Sequence, residues 1–108
     1  MTGKQMSPLH RLESLTATEA IHVHDYMQLA FGDNARLSIY NDTSIMPASK
    51  ELDDLVGQIV VAVSENSDSI EIRFLNATKL IIDLRPDAFR GPEALQLQFP
   101  GEPAIVWK

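Results

Sequence analysis

Two groups of residues have the types and spacing to do chemistry. His22-Val23-His24 places two imidazoles at i and i+2, the spacing that puts both on one face of a strand, and Gln28 follows as a third polar donor. A divalent metal takes three or four ligands, with neutral imidazole among the commonest. A small metal- or ligand-binding β-barrel using His22, His24 and Gln28 is therefore one reading. No histidine follows His24 to complete the set. The second group is Arg85-Pro86-Asp87-Ala88-Phe89-Arg90-Gly91-Pro92-Glu93, two arginines in a rigid proline and glycine frame. Arg85 and Arg90 could clamp an anionic group or a partner's carboxylate. The plainer expectation is that they pair with Asp87 and Glu93 and pin the chain, with Phe89 in the core. Asp42 and Asp83 lie at the ends of comparable third strands; solvated strand ends are the expectation, and a shared cleft is the alternative. Acid–base work would require environments that push their pKa values apart.

Most other chemistry is missing from the sequence. There is no cysteine, so disulfides and thiolate ligands are excluded. No serine sits in a G-x-S-x-G elbow, and the glycines form no phosphate-cradling loop. Nine basic residues stand against fifteen acidic ones, a net charge of −6. The basic residues are scattered singly, which argues against nucleic acid as a partner. No apolar run approaches the ~20 residues of a membrane span. The opening MTGKQMSPLH lacks a hydrophobic signal core, and a cytoplasmic, bacterial-type protein is expected. These points lead to a protein that is not an enzyme and needs no cofactor.

The elements follow from hydrophobic period. Residues 1–6 read as a mobile tail. Ser7-Pro8 is an N-cap followed by a first-turn proline, and Leu9, Leu12 and Leu15 give a short helix ending near Thr16. From Glu19 the period is two, predicting strands near 19–23, 27–31 and 36–40 with Ile21 and Val23 inward. Residues 19–31 could instead be one bent strand. Asn41 to Pro47 reads as a loop. Ser49 then caps a second short helix carrying Leu52 and Leu55, ended by Gly57. Three further strand runs follow between Gly57 and Leu84, and Glu93 to Trp107 forms a final hairpin around Pro100-Gly101.

The chain also repeats itself. Leu12-Glu13-Ser14-Leu15 matches Leu52-Asp53-Asp54-Leu55 at a shift of about 40, and Leu29, Phe31, Leu37 and Ile39 match Ile72, Phe74, Leu80 and Ile82 at about 43. The polar connection from Ser64 to Ser69 makes the second copy a hairpin, so a hairpin is preferred for 19–31 as well. The expected fold is mainly β within one domain spanning 1–108. About eight short antiparallel strands form a small sandwich or barrel. They come from a duplicated helix and three-strand meander (about 7–41 and 49–84) and a C-terminal hairpin (about 93–107).

The run Leu52 to Leu84, followed by Phe89-Arg90-Gly91-Pro92-Glu93-Ala94-Leu95-Gln96-Leu97 and Ile105-Val106-Trp107, resembles small bacterial β-rich domains over residues 52–107. The resemblance implies no catalytic residue; some comparable acidic domains act as immunity proteins for secreted toxins. The leading expectation is a protein-binding domain of that inhibitor or immunity kind. Leu75 and Ile81 are outward apolar positions suited to a partner or to self-association, with Arg85 and Arg90 as further contacts. An electrostatic neutraliser would gather Glu51, Asp53, Asp54, Glu65, Asp68 and Glu71 on one surface.

Overall fold

The computed structural model describes residues 7–108, so the expected tail at 1–6 falls outside the described residues. The chain enters through a 3₁₀ helix, η1 (Pro8–Leu12). Ser7 caps it: its Oγ accepts from Leu9 N at 3.2 Å, and Pro8 follows with no N–H to strand. Leu9 and Leu12 are fully buried. Their three-residue spacing suits a helix of three residues per turn, in which i and i+3 eclipse, better than an α-helix. The second helix, η2 (Leu52–Leu55), has the same design, burying Leu52 and Leu55. Its start is fixed by Asp54 Oδ2, which accepts from Glu51 N at 2.8 Å; the expected cap Ser49 lies outside it. A third, single turn is η3 (Pro86–Ala88).

Among the described residues nine strands build two antiparallel sheets, which do not close into a barrel. In chain order they are β1 (Ala17–Val23), β2 (Tyr26–Phe31), β3 (Arg36–Ile39), β4 (Thr43–Met46), β5 (Val60–Glu65), β6 (Ser69–Phe74), β7 (Lys79–Asp83), β8 (Leu95–Gln98) and β9 (Ile105–Trp107). One sheet has the order β1-β2-β3-β8-β9 and the other β4-β7-β6-β5. Their inner faces contribute to one apolar cluster, Leu29, Phe31, Leu37 and Ile39 from the first and Ile70, Ile72, Phe74, Leu80 and Ile82 from the second. That arrangement fits a sandwich.

Residues 17–31 form a hairpin, but the turn differs from the expected one. Val23 pairs with Tyr26, so only His24 and Asp25 make the turn, with His24 in the left-handed region (φ 53°). The inward pattern differs too. A register shift between Ala17 and Glu19 inserts one extra residue, so Ala17 and Ala20 are buried while Ile21 is 42% exposed. β5 carries the same device between Val60 and Ala62: Val60 and Val63 are buried, and Val61 is 47% exposed. A bulge moves every later side chain to the other face, which strict alternation could not reveal. The segment expected to be a loop after Asn41 supplies β4, which pairs with β7 through Ile45↔Leu80.

These matching bulges belong to a wider correspondence at a constant spacing of 43 residues, without the change of shift expected from sequence. Ser14 N donates to Val60 O and Gly57 N to Ala17 O; Ala17 N donates to Gln58 O and Val60 N to Leu15 O. Each bond in a pair is the other with the halves exchanged. The same holds for Gly32 N to Thr16 O and Leu75 N to Ile59 O. Thr16 and Ile59 bridge directly at the centre. The helices register likewise, Leu9 on Leu52 and Leu12 on Leu55.

The halves also exchange parts. β4 follows β3 but pairs with β7 of the second half; β8 follows β7 but pairs with β3 of the first. η1 lies against β5, and η2 against β1. Neither three-stranded meander is completed by its own half.

One backbone position tests this correspondence. Ser14 (φ 76°) stands where the other half has Gly57 (φ 88°). The left-handed region costs a side chain of ordinary shape about 1 kcal/mol. Ser14→Gly is expected to stabilise by about 0.5–1 kcal/mol, while Gly57→Ser costs about 1 kcal/mol although nothing lies within 4 Å of its added Cβ. Urea midpoints of the two variants check both signs. Phe31→Ala and Phe74→Ala should each cost about 3–5 kcal/mol, because both rings are buried in the shared core.

Candidate interaction surface and clefts

The correspondence of the halves makes their differences informative. Around the Thr16↔Ile59 bridge, the second half presents Ile59, Val61 and Leu75, which are 38%, 47% and 66% exposed. The first half has Thr16, Thr18 and Gly32 in the same places. Leu75 N donates to Ile59 O at 2.9 Å, which holds these two residues side by side, and the bulge leaves Val61 outside. Leu75 was legible in the sequence as an outward apolar residue. Ile59 and Val61 were not, because alternation alone places Val61 inward with Val63.

Ile81 is half-buried on the outer face of the four-stranded sheet, between Ser44 of β4 and Glu71 of β6. It stands apart from Leu75 and lines a cleft with Asp42, Asp68, Asp83 and Arg85. Asp42 and Asp83 thus line one cleft, where solvated strand ends were expected. Arg85 meets Asp83 with both ends of its fork, Nε to Oδ1 at 3.0 Å and Nη2 to Oδ2 at 2.7 Å. The Arg85 backbone N also donates to Oδ1 at 2.9 Å. These hydrogen bonds hold the Asp83 carboxyl at about 2, against an ordinary 3.8. Arg90 reaches across the chain instead, to Asp42 Oδ1 at 2.7 to 2.8 Å. The expected pairs with Asp87 and Glu93 are therefore replaced by pairs with Asp83 and Asp42. Asp83 is a local partner, two residues before Arg85, whereas for Arg90 the reason is topological: the crossing of the two halves brings 40–42 against 83 and 94, with Asp83 N on Asp42 O and Tyr40 N on Ala94 O. Phe89 packs against the core from this crossing.

A second cleft, of about 430 Å³, lies at the corresponding corner of the first half. Asp25, Tyr26 and Tyr40 line it in the places of Asp68, Ser69 and Asp83, together with Arg90 and Glu93. The two phenol rings are 5.3 Å apart and inclined at 46°.

The histidines do not converge with Gln28. His22 pairs with Met27, whose side chain is buried, while Gln28 pairs with Ile21 on the opposite face and lies 3.4 Å from Ser38 Oγ. His24 sits in the turn. Among the described residues, no group of three or more His, Cys, Asp or Glu side chains is placed to hold a metal ion. The acidic residues are also divided among elements. Glu51, Asp53 and Asp54 belong to η2 and its cap, Glu65 and Asp68 flank the β5–β6 turn, and Glu71 faces Lys79 at 3.6 Å.

Trp107 is an edge anchor, its Nε1 donating to Glu65 Oε2 at 3.1 Å. Among the described residues no helix is long and apolar enough to cross a membrane. Comparison with protein-family models, curated proteins and solved structures returns no match for the chain.

The Arg85 fork yields a pH prediction. A carboxyl whose folded pKa is depressed stabilises the fold above its unfolded value, and that contribution is lost as pH falls from near 4 towards 2. Carboxyl-carbon NMR should place the Asp83 midpoint near 2, and Arg85→Gln should raise it only part of the way towards its ordinary value, because the backbone N of residue 85 still donates to Oδ1. Addition of zinc should leave the thermal midpoint unchanged, because His22 and Gln28 face opposite ways.

Proposed function

We propose that this chain is a non-enzymatic protein-binding domain whose contact surface is centred on Ile59, Val61 and Leu75. One observation carries this reading. Beside the Thr16↔Ile59 bridge, three apolar side chains stand exposed where the corresponding half has two threonines and a glycine. Exposed apolar residues are unremarkable when scattered; gathered on one side of a bridge, they mark a surface that another molecule covers.

The rest is in accord with binding rather than catalysis. Asp42 and Asp83, the carboxylates that share a cleft, are each held by an arginine. An inhibitor or immunity role accords with the net charge of −6 and with the bacterial domains that residues 52–107 resemble. Because the acidic residues are divided among elements, apolar contact supplies the affinity and charge serves mainly the rate of encounter. A cytoplasmic setting belongs to the same proposal. We also infer that the two halves arose by tandem duplication of one helix and three-strand unit. The support is that backbone hydrogen bonds, bulges and left-handed residues recur at a single spacing.

The test transplants the first half's surface onto the second. Affinity capture from the native cell is compared for the wild type and for an Ile59→Thr, Val61→Thr, Leu75→Ser variant. A specific polypeptide should be retained by the wild type and lose at least about tenfold in affinity for the variant, with the thermal midpoint within a few degrees. Equal retention by the variant refutes the surface. A wild-type dimer in sedimentation that the variant abolishes would reassign the same surface to self-association.

A further inference from the structure

Two corners of the molecule are equivalent by position and differ in what fills them. In the second half, the cleft beside Asp68 and Ser69 already holds a guanidinium: Arg85 lines it and forks onto Asp83. In the first half, Tyr40 stands in the place of Asp83 and Tyr26 in that of Ser69, and no arginine forks onto the wall in this way. Arg90 does border this cleft, but both its Nε and a terminal nitrogen are directed to Asp42 Oδ1. What remains around the opening is two inclined phenol rings and the carboxylates of Asp25 and Glu93. Neither carboxylate is in an ion pair among the described residues.

We propose that the cleft between Tyr26, Tyr40, Asp25 and Glu93 is a binding site for an arginine side chain of a partner polypeptide. The faces of aromatic rings carry negative potential and attract cations, arginine more often than lysine. The guanidinium is flat, weakly hydrated and able to stack on a ring while its edge donates to a carboxylate. Two inclined rings with acids at the rim supply both contacts. The Arg90–Asp42 pair at the border removes the positive charge that would otherwise oppose entry. The molecule itself indicates the occupant, since the matching corner is completed by a guanidinium of its own chain. This inference deepens the protein-binding reading and rests on it for the source of the arginine; binding of the side chain itself can be measured without the partner.

Tyr26 and Tyr40 are the only two tyrosines in the sequence, and both line the cleft. Ring signals of tyrosine-labelled protein therefore report on this site alone. The probe is N-acetyl-arginine N-methylamide, with the neutral citrulline and the cationic lysine analogues beside it. The arginine probe should shift both rings saturably, with a Kd in the millimolar range, as expected of a single side chain. Citrulline should bind at least about fivefold more weakly. Asp25→Asn with Glu93→Gln should weaken the arginine probe by about tenfold and leave the thermal midpoint unchanged. Linear, non-saturating shifts overturn the proposal. So does citrulline or lysine binding as well as arginine, or indifference to the loss of both carboxylates. A cleft that fails this test leaves the Ile59, Val61 and Leu75 surface untouched, and loss of that surface leaves the probe titration untouched.

Discussion

The structure depends on four backbone hydrogen bonds that tie residues 14–17 to residues 57–60 at 2.7 to 2.9 Å. They join the two segments that lead into the first strand of each half, β1 and β5. Ser14 and Gly57 turn the chain into position with left-handed backbone, and the Thr16↔Ile59 bridge closes the join. Everything on either side follows from that fixed point. β1 and β5 run outward in opposite sheets, and η1 and η2 fold back over the partner half's strand. Edge strands left bare invite pairing with other chains. Here η1 packs on one and η2 on the other, and Glu13 Oε2 also receives Val63 N at 3.0 Å from the β5 backbone.

The second constraint is the exchange of β4 and β8. Each leaves its own half and completes the other's sheet, so the crossing segments must pass each other near Asn41 and Asp83. Asn41 is buried there, its Nδ2 donating to Asp83 O at 2.8 Å and its own N to Ala94 O. This crossing explains why both clefts exist where they do. It also explains why the segment 85–93, which the first half lacks, supplies Arg85 to one cleft and Arg90 to the border of the other. Function is proposed at positions where the two halves differ, because packing that is common to both is already accounted for by the shared frame.

Much of this was readable in the sequence, and the failures have physical causes. The leucine pairs, the strand runs and the aligned phenylalanines located both meanders, since period and burial are local properties. The two bulges were invisible: a single inserted residue leaves composition unchanged while reversing the facing of Ile21 and Val61. β4 was hidden because Thr-Ser-Ile-Met is too short to show alternation above its polar surroundings. The exchange of strands could not be read at all, since a strand's sequence records which face is apolar but not which neighbour it pairs with. For the same reason Arg90 was assigned to an acid nearby in sequence, whereas the crossing offered Asp42; Arg85 had acids two residues away on either side, and sequence alone did not choose Asp83 over Asp87. The tyrosine cleft had a faint trace, two aromatic residues standing in the first copy where the second has Ser69 and Asp83.

The central claim is that two interlocked halves form one cooperative frame, on whose differences the binding surfaces are built. Native-state hydrogen exchange tests it most directly. Strand exchange means neither sheet can open while the other stays folded. The amides of β2 and β6, together with Ala17 and Val60 at the join, should therefore exchange with one common free energy, equal to that of global unfolding. If the β6 amides open at distinctly lower free energy than those of β2, or the Ala17 and Val60 amides exchange as a frayed linker would, the halves are independent and the account fails.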